Sequence, residues 1–169
     1  MRPVPPVSFS GSVDVVQVLA GICAQASPPL TLQNSGVTGR IADPYLTGTT
    51  LHQLQQVARA ANINAAIDDN QVLAIWPAGG SRTGSAIRIA PDSGLVGYPA
   101  FTQRGIQLTT LYNPSLTFGA TVDVQSQLTP ANGRWTVASV AHNLDAEMPG
   151  GQWFTRVECS LLGQTVAIV

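Results

Sequence analysis

Residues 94–161 read GLVGYPAFTQRGIQLTTLYNPSLTFGATVDVQSQLTPANGRWTVASVAHNLDAEMPGGQWFTRVECSL, and this pattern decides the architecture. Strand-like runs at Ile106–Leu111, Ala120–Ser126, Arg134–Leu144 and Trp153–Leu162 alternate with Tyr112-Asn113-Pro114, Asn132-Gly133 and Pro149-Gly150-Gly151. Asn-Gly and Gly-Gly reach positive φ at little steric cost, so these turns are expected to close hairpins. Val122 and Val124 share a face opposite Thr121, Asp123 and Gln125. Trp153, Thr155, Val157, Cys159 and Leu161 share another, opposite Phe154, Arg156, Glu158 and Ser160. This period of two marks strands with one buried side. Short runs at even spacing predict a small antiparallel sheet or barrel, with Arg88–Tyr98 supplying one or two further strands.

Upstream the periodicity changes. Val15, Val16, Leu19, Ile22, Cys23 and Ala26 fall on one helical stripe, with Ser12 expected as N-cap and Asp14 in the first turn. Ser27-Pro28-Pro29 ends that helix, because a residue before proline avoids the α conformation. Thr50-Leu51-His52-Gln53 fits a capping box for a second helix, which buries Leu51, Leu54, Val57, Ala58 and Ala61. Short strands are expected at Ser8–Gly11, Leu30–Gln33 and Val37–Ala42, and a hairpin at Ile63–Ile67 and Val72–Trp76.

The chain therefore reads as α+β: a small domain over residues 1–78 with two helices on a sheet, a Gly/Ser linker over 79–87, and an antiparallel β-barrel over 88–169.

The chain has 169 residues, of which 44% are apolar and only 10% charged, against the usual quarter. Ser, Thr, Asn and Gln fill the surface instead. A weakly charged surface has little self-repulsion and suits close assembly with neighbours. All eight basic residues are Arg, the net charge is −1, and no basic run gives a nucleic-acid footprint. No stretch is long and apolar enough for a membrane span, and the proline-rich start lacks the apolar core of a signal peptide, so synthesis in the cytoplasm is expected.

Candidate chemistry is sparse. His52 has Gln56, not a ligand, at i+4. His142 is followed by Asp145 and Glu147, but the spacing matches no metal module. Cys23 and Cys159 stand alone in apolar runs and read as reduced, buried thiols. Asp68-Asp69 lie on a turn tip, Gly79–Gly84 lacks the Gly-Lys-Ser/Thr ending of a phosphate loop, and no serine has a nucleophile-elbow context. Catalytic, cofactor and metal residues are therefore set at none. Trp76, Trp135 and Trp153 lie in strands, and Trp135 and Trp153 are expected to act through packing rather than as a sugar platform.

The ordered series Gly97-Tyr98-Pro99, Tyr112-Asn113-Pro114, Gly133-Arg134-Trp135 and Pro149-Gly150-Gly151-Gln152-Trp153 resembles a family of phage baseplate hub proteins. These belong with the late-control tail proteins and the hub modules of type VI secretion spikes. The resemblance runs upstream to about Val7. It implies a virion structural protein of the tail baseplate, with a barrel related to the tail-tube fold. It implies tube, spike and neighbouring hub subunits as partners, a homotrimer in the tail, and no cofactor. Its motifs map onto Tyr98, Pro99, Asn113, Pro114, Asn132, Gly133, Pro149, Gly150 and Gly151, read as positions that set turn geometry. A tail-associated peptidoglycan hydrolase and a carbohydrate-binding module are the alternatives. Hubs of this class commonly carry two tube-like barrels, and this chain has room for one, between Arg88 and Leu162. With Arg2-Pro3-Val4-Pro5-Pro6 reading as a linker, the chain is expected to be the C-terminal part of a longer hub or to need a second barrel protein. Alone it is then expected to be a monomer or weak oligomer.

Overall fold

The computed structural model describes residues 4–147 and 149–161. The first three residues of the expected proline-rich lead-in over residues 1–7, and the expected strand end at Leu162, lie outside them. The chain divides into two compact units, meeting between Ala78 and Gly79.

The first unit runs β1 (Val7–Ser8), β2 (Ser12–Asp14), α1 (Val15–Gln25), β3 (Thr31–Asn34), β4 (Arg40–Ala42), β5 (Tyr45–Leu46), α2 (Thr50–Ala60), β6 (Ile63–Ile67) and β7 (Val72–Pro77). Three small sheets result: β1 with β5, β2 with β4, and β3-β7-β6 in which β3 lies parallel to β7. Helix α1 buries Val15, Val18, Leu19, Ile22 and Cys23. These meet Leu54, Val57 and Ala58 of α2 and Ile63, Ala65, Leu73 and Ile75 of the sheet in one core. Each fully buried aliphatic side chain there contributes about 1.5–3 kcal/mol relative to exposure.

Both helix starts differ from expectation by local chemistry. Ser12 is taken into β2, so Asp14 caps α1, its Oδ1 accepting from Val16 N at 2.9 Å. Thr49 caps α2, its Oγ1 accepting from His52 N at 3.3 Å. Gln53 makes no capping box. Its side chain is fully buried, and Nε2 donates to Pro5 O at 3.2 Å.

The second unit runs β8 (Ile87–Ile89), a 3-10 turn (Pro91–Ser93), β9 (Leu95–Thr102), β10 (Gly105–Leu111), β11 (Thr121–Val124), a second 3-10 turn (Thr129–Ala131), β12 (Gly133–Leu144) and β13 (Trp153–Leu161). The six strands form one sheet in the order β8-β11-β12-β13-β10-β9, antiparallel except that β8 pairs parallel with β11. The expected spacer over 79–87 is not a free linker. Ile87 belongs to β8, Arg82 N donates to Gly119 O at 2.8 Å, and Thr121 Oγ1 donates to Ser81 Oγ at 2.8 Å.

The sheet is a curled half-barrel, and the expected closed antiparallel barrel is not formed. Its two ends are brought near each other without a ladder between them. Leu95 N donates to Ala90 O across the first 3-10 turn, and Tyr98 Oη on β9 donates to Gln127 Oε1 in the loop after β11. The edges explain why no ladder closes. β8 has three residues and runs into Pro91, while β9 carries Pro99, which has no N–H to offer. Ile89, Leu95, Ile106, Leu108, Leu116, Val122, Val124, Trp135, Val137 and Val157 fill the second core.

Candidate functional site

Among the described residues, no group of three or more His, Cys, Asp or Glu could hold a metal ion. His52 is exposed on the first turn of α2. His142 lies on β12, its Nδ1 2.9 Å from Thr155 Oγ1. Its ring meets Tyr112 edge-on at 5.2 Å between centroids. Asp145 and Glu147 follow at the β12–β13 turn, where Asp145 Oδ2 accepts from Gln152 N at 3.2 Å. Cys23 and Cys159 are free and buried. Burial pushes both thiols up, Cys159 to about 12, so neither ionises near neutrality.

The positions expected to set turns fall into three kinds. Asn113 makes an Asx turn: its Oδ1 accepts from Ser115 N at 3.0 Å and its N–H donates to Thr155 Oγ1 at 3.2 Å, with Pro114 following. Pro149, Gly150 and Gly151 lie between β12 and β13, and Gly150 has φ +76°.

Asn132-Gly133 does not form a two-residue hairpin turn. β11 and β12 are joined by eight residues, and Asn132 closes that loop by side chain, Oδ1 accepting from Ser126 N at 2.6 Å and Nδ2 donating to Ser126 O at 3.0 Å. Gly133 opens β12. The two-residue turn of this sheet is instead Gln103-Arg104, between paired Thr102 and Gly105. Its residues lack the Asn-Gly signature, and the expected strand before Ile106 ends at Tyr98, whereas β9 runs on to Thr102.

Tyr98-Pro99 is not a turn but the middle of β9. Gln107 pairs with Ala100 and Thr109 with Val96, so Leu108 faces three residues, Gly97 to Pro99. This is a bulge in an edge strand, and Gly97 supplies φ +69° for it. A bulge with proline blunts the edge against ladder pairing.

The two tryptophans part company. Trp135 is buried, and its Nε1 donates to Ala131 O at 3.0 Å. Trp153 is 49% exposed, contrary to the expected packing. It shares the core-facing side of β13, but it stands where the sheet has run past its core. Its Nε1 donates to Asp145 O at 3.2 Å, and its ring meets Tyr112 edge-on at 6.1 Å. Sequence alternation gave its side of the sheet and could not show where the core stops.

Exposed apolar side chains mark the surface that remains. Val96, Tyr98 and Phe101 stand out from β9, Leu144 pairs with Trp153 beside Tyr112 where β12 and β13 extend furthest, and Leu111 is exposed on the opposite face beside Phe154. Patches of this kind mark contact surfaces rather than reaction centres. A family model described as baseplate hub gp41 matches residues 8–159. The chain belongs to the baseplate hub gp41 family. It is a structural protein of a phage tail baseplate, placed in the virion tail and working against other tail proteins.

Solved structures give the same fold. A tail protein from Neisseria meningitidis MC58 superposes with a TM-score of 0.69 at 7% identity, over 97% of this chain and 71% of that one. The 43 kDa tail protein of prophage MuSo2 from Shewanella oneidensis gives 0.63 at 11% identity, over 96% and 67%. No curated protein matches the sequence. Among the described residues of this hub protein, no helix is long and apolar enough to cross a membrane.

Proposed function

We propose that this hub protein joins the tail tube on one side to the spike on the other, as a homotrimer, and that its work is static. No catalytic step and no cofactor enter. The single observation carrying this reading is the family match, which spans both cores rather than one module. The curled sheet of the second unit is the part related to the tail-tube fold, and it meets neighbouring subunits through loops and overhanging ends rather than through a hydrogen-bonded barrel seam. The two units, divided between Ala78 and Gly79, fold as separate domains close to the expected spans 1–78 and 88–169, a reading supported by two self-contained cores. The turn positions Asn113, Pro114, Asn132, Gly133, Pro149, Gly150 and Gly151 hold geometry and bind nothing themselves.

Cryo-electron microscopy of intact tails with this chain tagged tests the placement. Density for three tagged copies between tube and spike is expected. A zymogram on purified cell wall tests the hydrolase alternative, and a glycan array the sugar-binding one. Lysis or glycan capture by the isolated chain would replace the static reading.

A further inference from the structure

The β12–β13 hairpin is longer than the core that supports it. Every described residue from Ala141 to Gly150 is exposed, on both faces of the ladder. The overhang is nonetheless ordered by its own bonds. Leu144 pairs with Trp153, Asp145 N donates to Gln152 O at 2.9 Å, and Trp153 Nε1 returns to Asp145 O. Across three strands its core-facing side carries Tyr112, Trp153, Leu144 and His142, and both Trp153 and His142 meet the Tyr112 ring edge-on. A preformed, exposed Trp-Tyr cluster matches the composition that dominates interface energetics. Its rim is acidic, with Asp145 and Glu147 exposed at the tip.

The same sheet face overruns its core at the other end as well. Phe101 pairs with Ile106, and Leu161 with Trp135, so both point to the core side, yet they are 56% and 51% exposed. Arg104 stands exposed at the turn beside them. The nine residues of β13 separate the two ends by roughly 26 Å at about 3.3 Å per residue. One end is therefore aromatic and acidic, and the other apolar and basic.

Resting on the hub reading, we propose that the overhanging β12–β13 end of one copy docks on the Phe101–Leu161–Arg104 end of a second copy of this chain. Opposite charge selects this arrangement. A like-to-like contact would set two acidic tips, or two arginines, against each other. The contact is heterologous, joining two different surfaces, which is the kind that closes a ring when the rotation allows.

Cysteine cross-linking in assembled tails tests it, since native Cys23 and Cys159 are buried. Tails would be built with Leu144→Cys, with Phe101→Cys, or with a mixture of both, and mildly oxidised. The mixture is expected to give a covalent dimer of this chain, and neither variant alone should. A second arm uses charge: Arg104→Glu should lower incorporation into tails by about tenfold or more, one lost charge pair at an interface. Combining it with Asp145→Arg and Glu147→Arg should restore incorporation, while the melting temperature of each isolated variant stays unchanged. A Leu144→Cys homodimer, a cross-link from position 144 to a different tail protein, no dimer in the mixture, or failed charge rescue would each overturn the proposal and leave the hub role standing. Absence of the unaltered chain from purified tails would instead overturn the hub reading, and this proposal with it.

Discussion

The two units spend their apolar residues differently. Of the ten large apolar side chains left exposed among the described residues, only Tyr45 and Ile67 lie in the first unit, and eight lie in the second. The first unit closes on itself: two capped helices cover β6 and β7, and its apolar stripe is used up internally. The second has a core of similar make-up, but its sheet is longer than that core. What differs is not hydrophobicity but whether partners for it exist within the chain. That contrast separates a part built for its own stability from a part built for contact, and single substitutions can break it or sharpen it.

The largest effect is expected at Trp135. It is buried in the second core and anchors the β11–β12 loop through Ala131 O. Trp135→Ala should destabilise the isolated protein by about 3–5 kcal/mol, read by chemical unfolding. A change below about 1 kcal/mol, within the surface range, would show that the second core is not closed around it.

Next comes Gly105, where β10 approaches β13. A Cβ built there collides with the Cys159 carbonyl oxygen. Because the obstacle is backbone, no side chain can swing away. Gly105→Ala should cost about 1–3 kcal/mol, as overpacking does, and open the Gly105–Ser160 pair to amide exchange. Unchanged exchange along β10 and β13 would refute the close approach.

Cys159 gives a pH-dependent effect. Its folded thiol is raised to about 12 from an ordinary value near 9.0. The folded state therefore holds the proton more tightly. Its contribution is fully present below pH 9 and is lost as pH climbs through 12. Unfolding free energy should fall over that window, and less so in Cys159→Ala. At pH 8 a thiol reagent should label Cys159 only after denaturation. Rapid labelling of the native protein would place the thiol outside the core.

How much of this was legible in the sequence follows from where the signal is local. Period-two alternation located β10 to β13 within a residue or two at most ends, because side-chain alternation is a property of the strand alone. Helix bodies were equally plain, but their caps shifted, since β2 claimed Ser12 and Pro5 claimed the Gln53 side chain. Whether the sheet closes depended on partners distant in the chain. The parallel pairing of β8 with β11 and the bulge opposite Leu108 are invisible to any window of a few residues. The Tyr98-Pro99 pair shows the consequence: proline and glycine signalled an interruption, and the ladder made it a bulge rather than a turn. No local pattern could separate Trp135 from Trp153, because each lies near the start of a strand and only the extent of the core tells them apart.

The smallest effect on stability, and the sharpest test of the contrast, is at Trp153. Its ring touches Tyr112 edge-on and its Nε1 holds Asp145 O, but it is half exposed and is not among the residues of the second core. An edge-to-face pair is worth about 0.5–1.5 kcal/mol, and the area still open to water contributes nothing in the isolated chain. Trp153→Ala should therefore destabilise the free protein by about 1 kcal/mol, several-fold less than Trp135→Ala. In tails the order should reverse, with Trp153→Ala lowering incorporation well beyond what its melting temperature accounts for. Trp153→Phe, which keeps an aromatic face but loses the bond to Asp145, should recover much of it. If Trp153→Ala melts the free protein as strongly as Trp135→Ala, the end of the hairpin belongs to the core after all, and the second unit is as self-contained as the first.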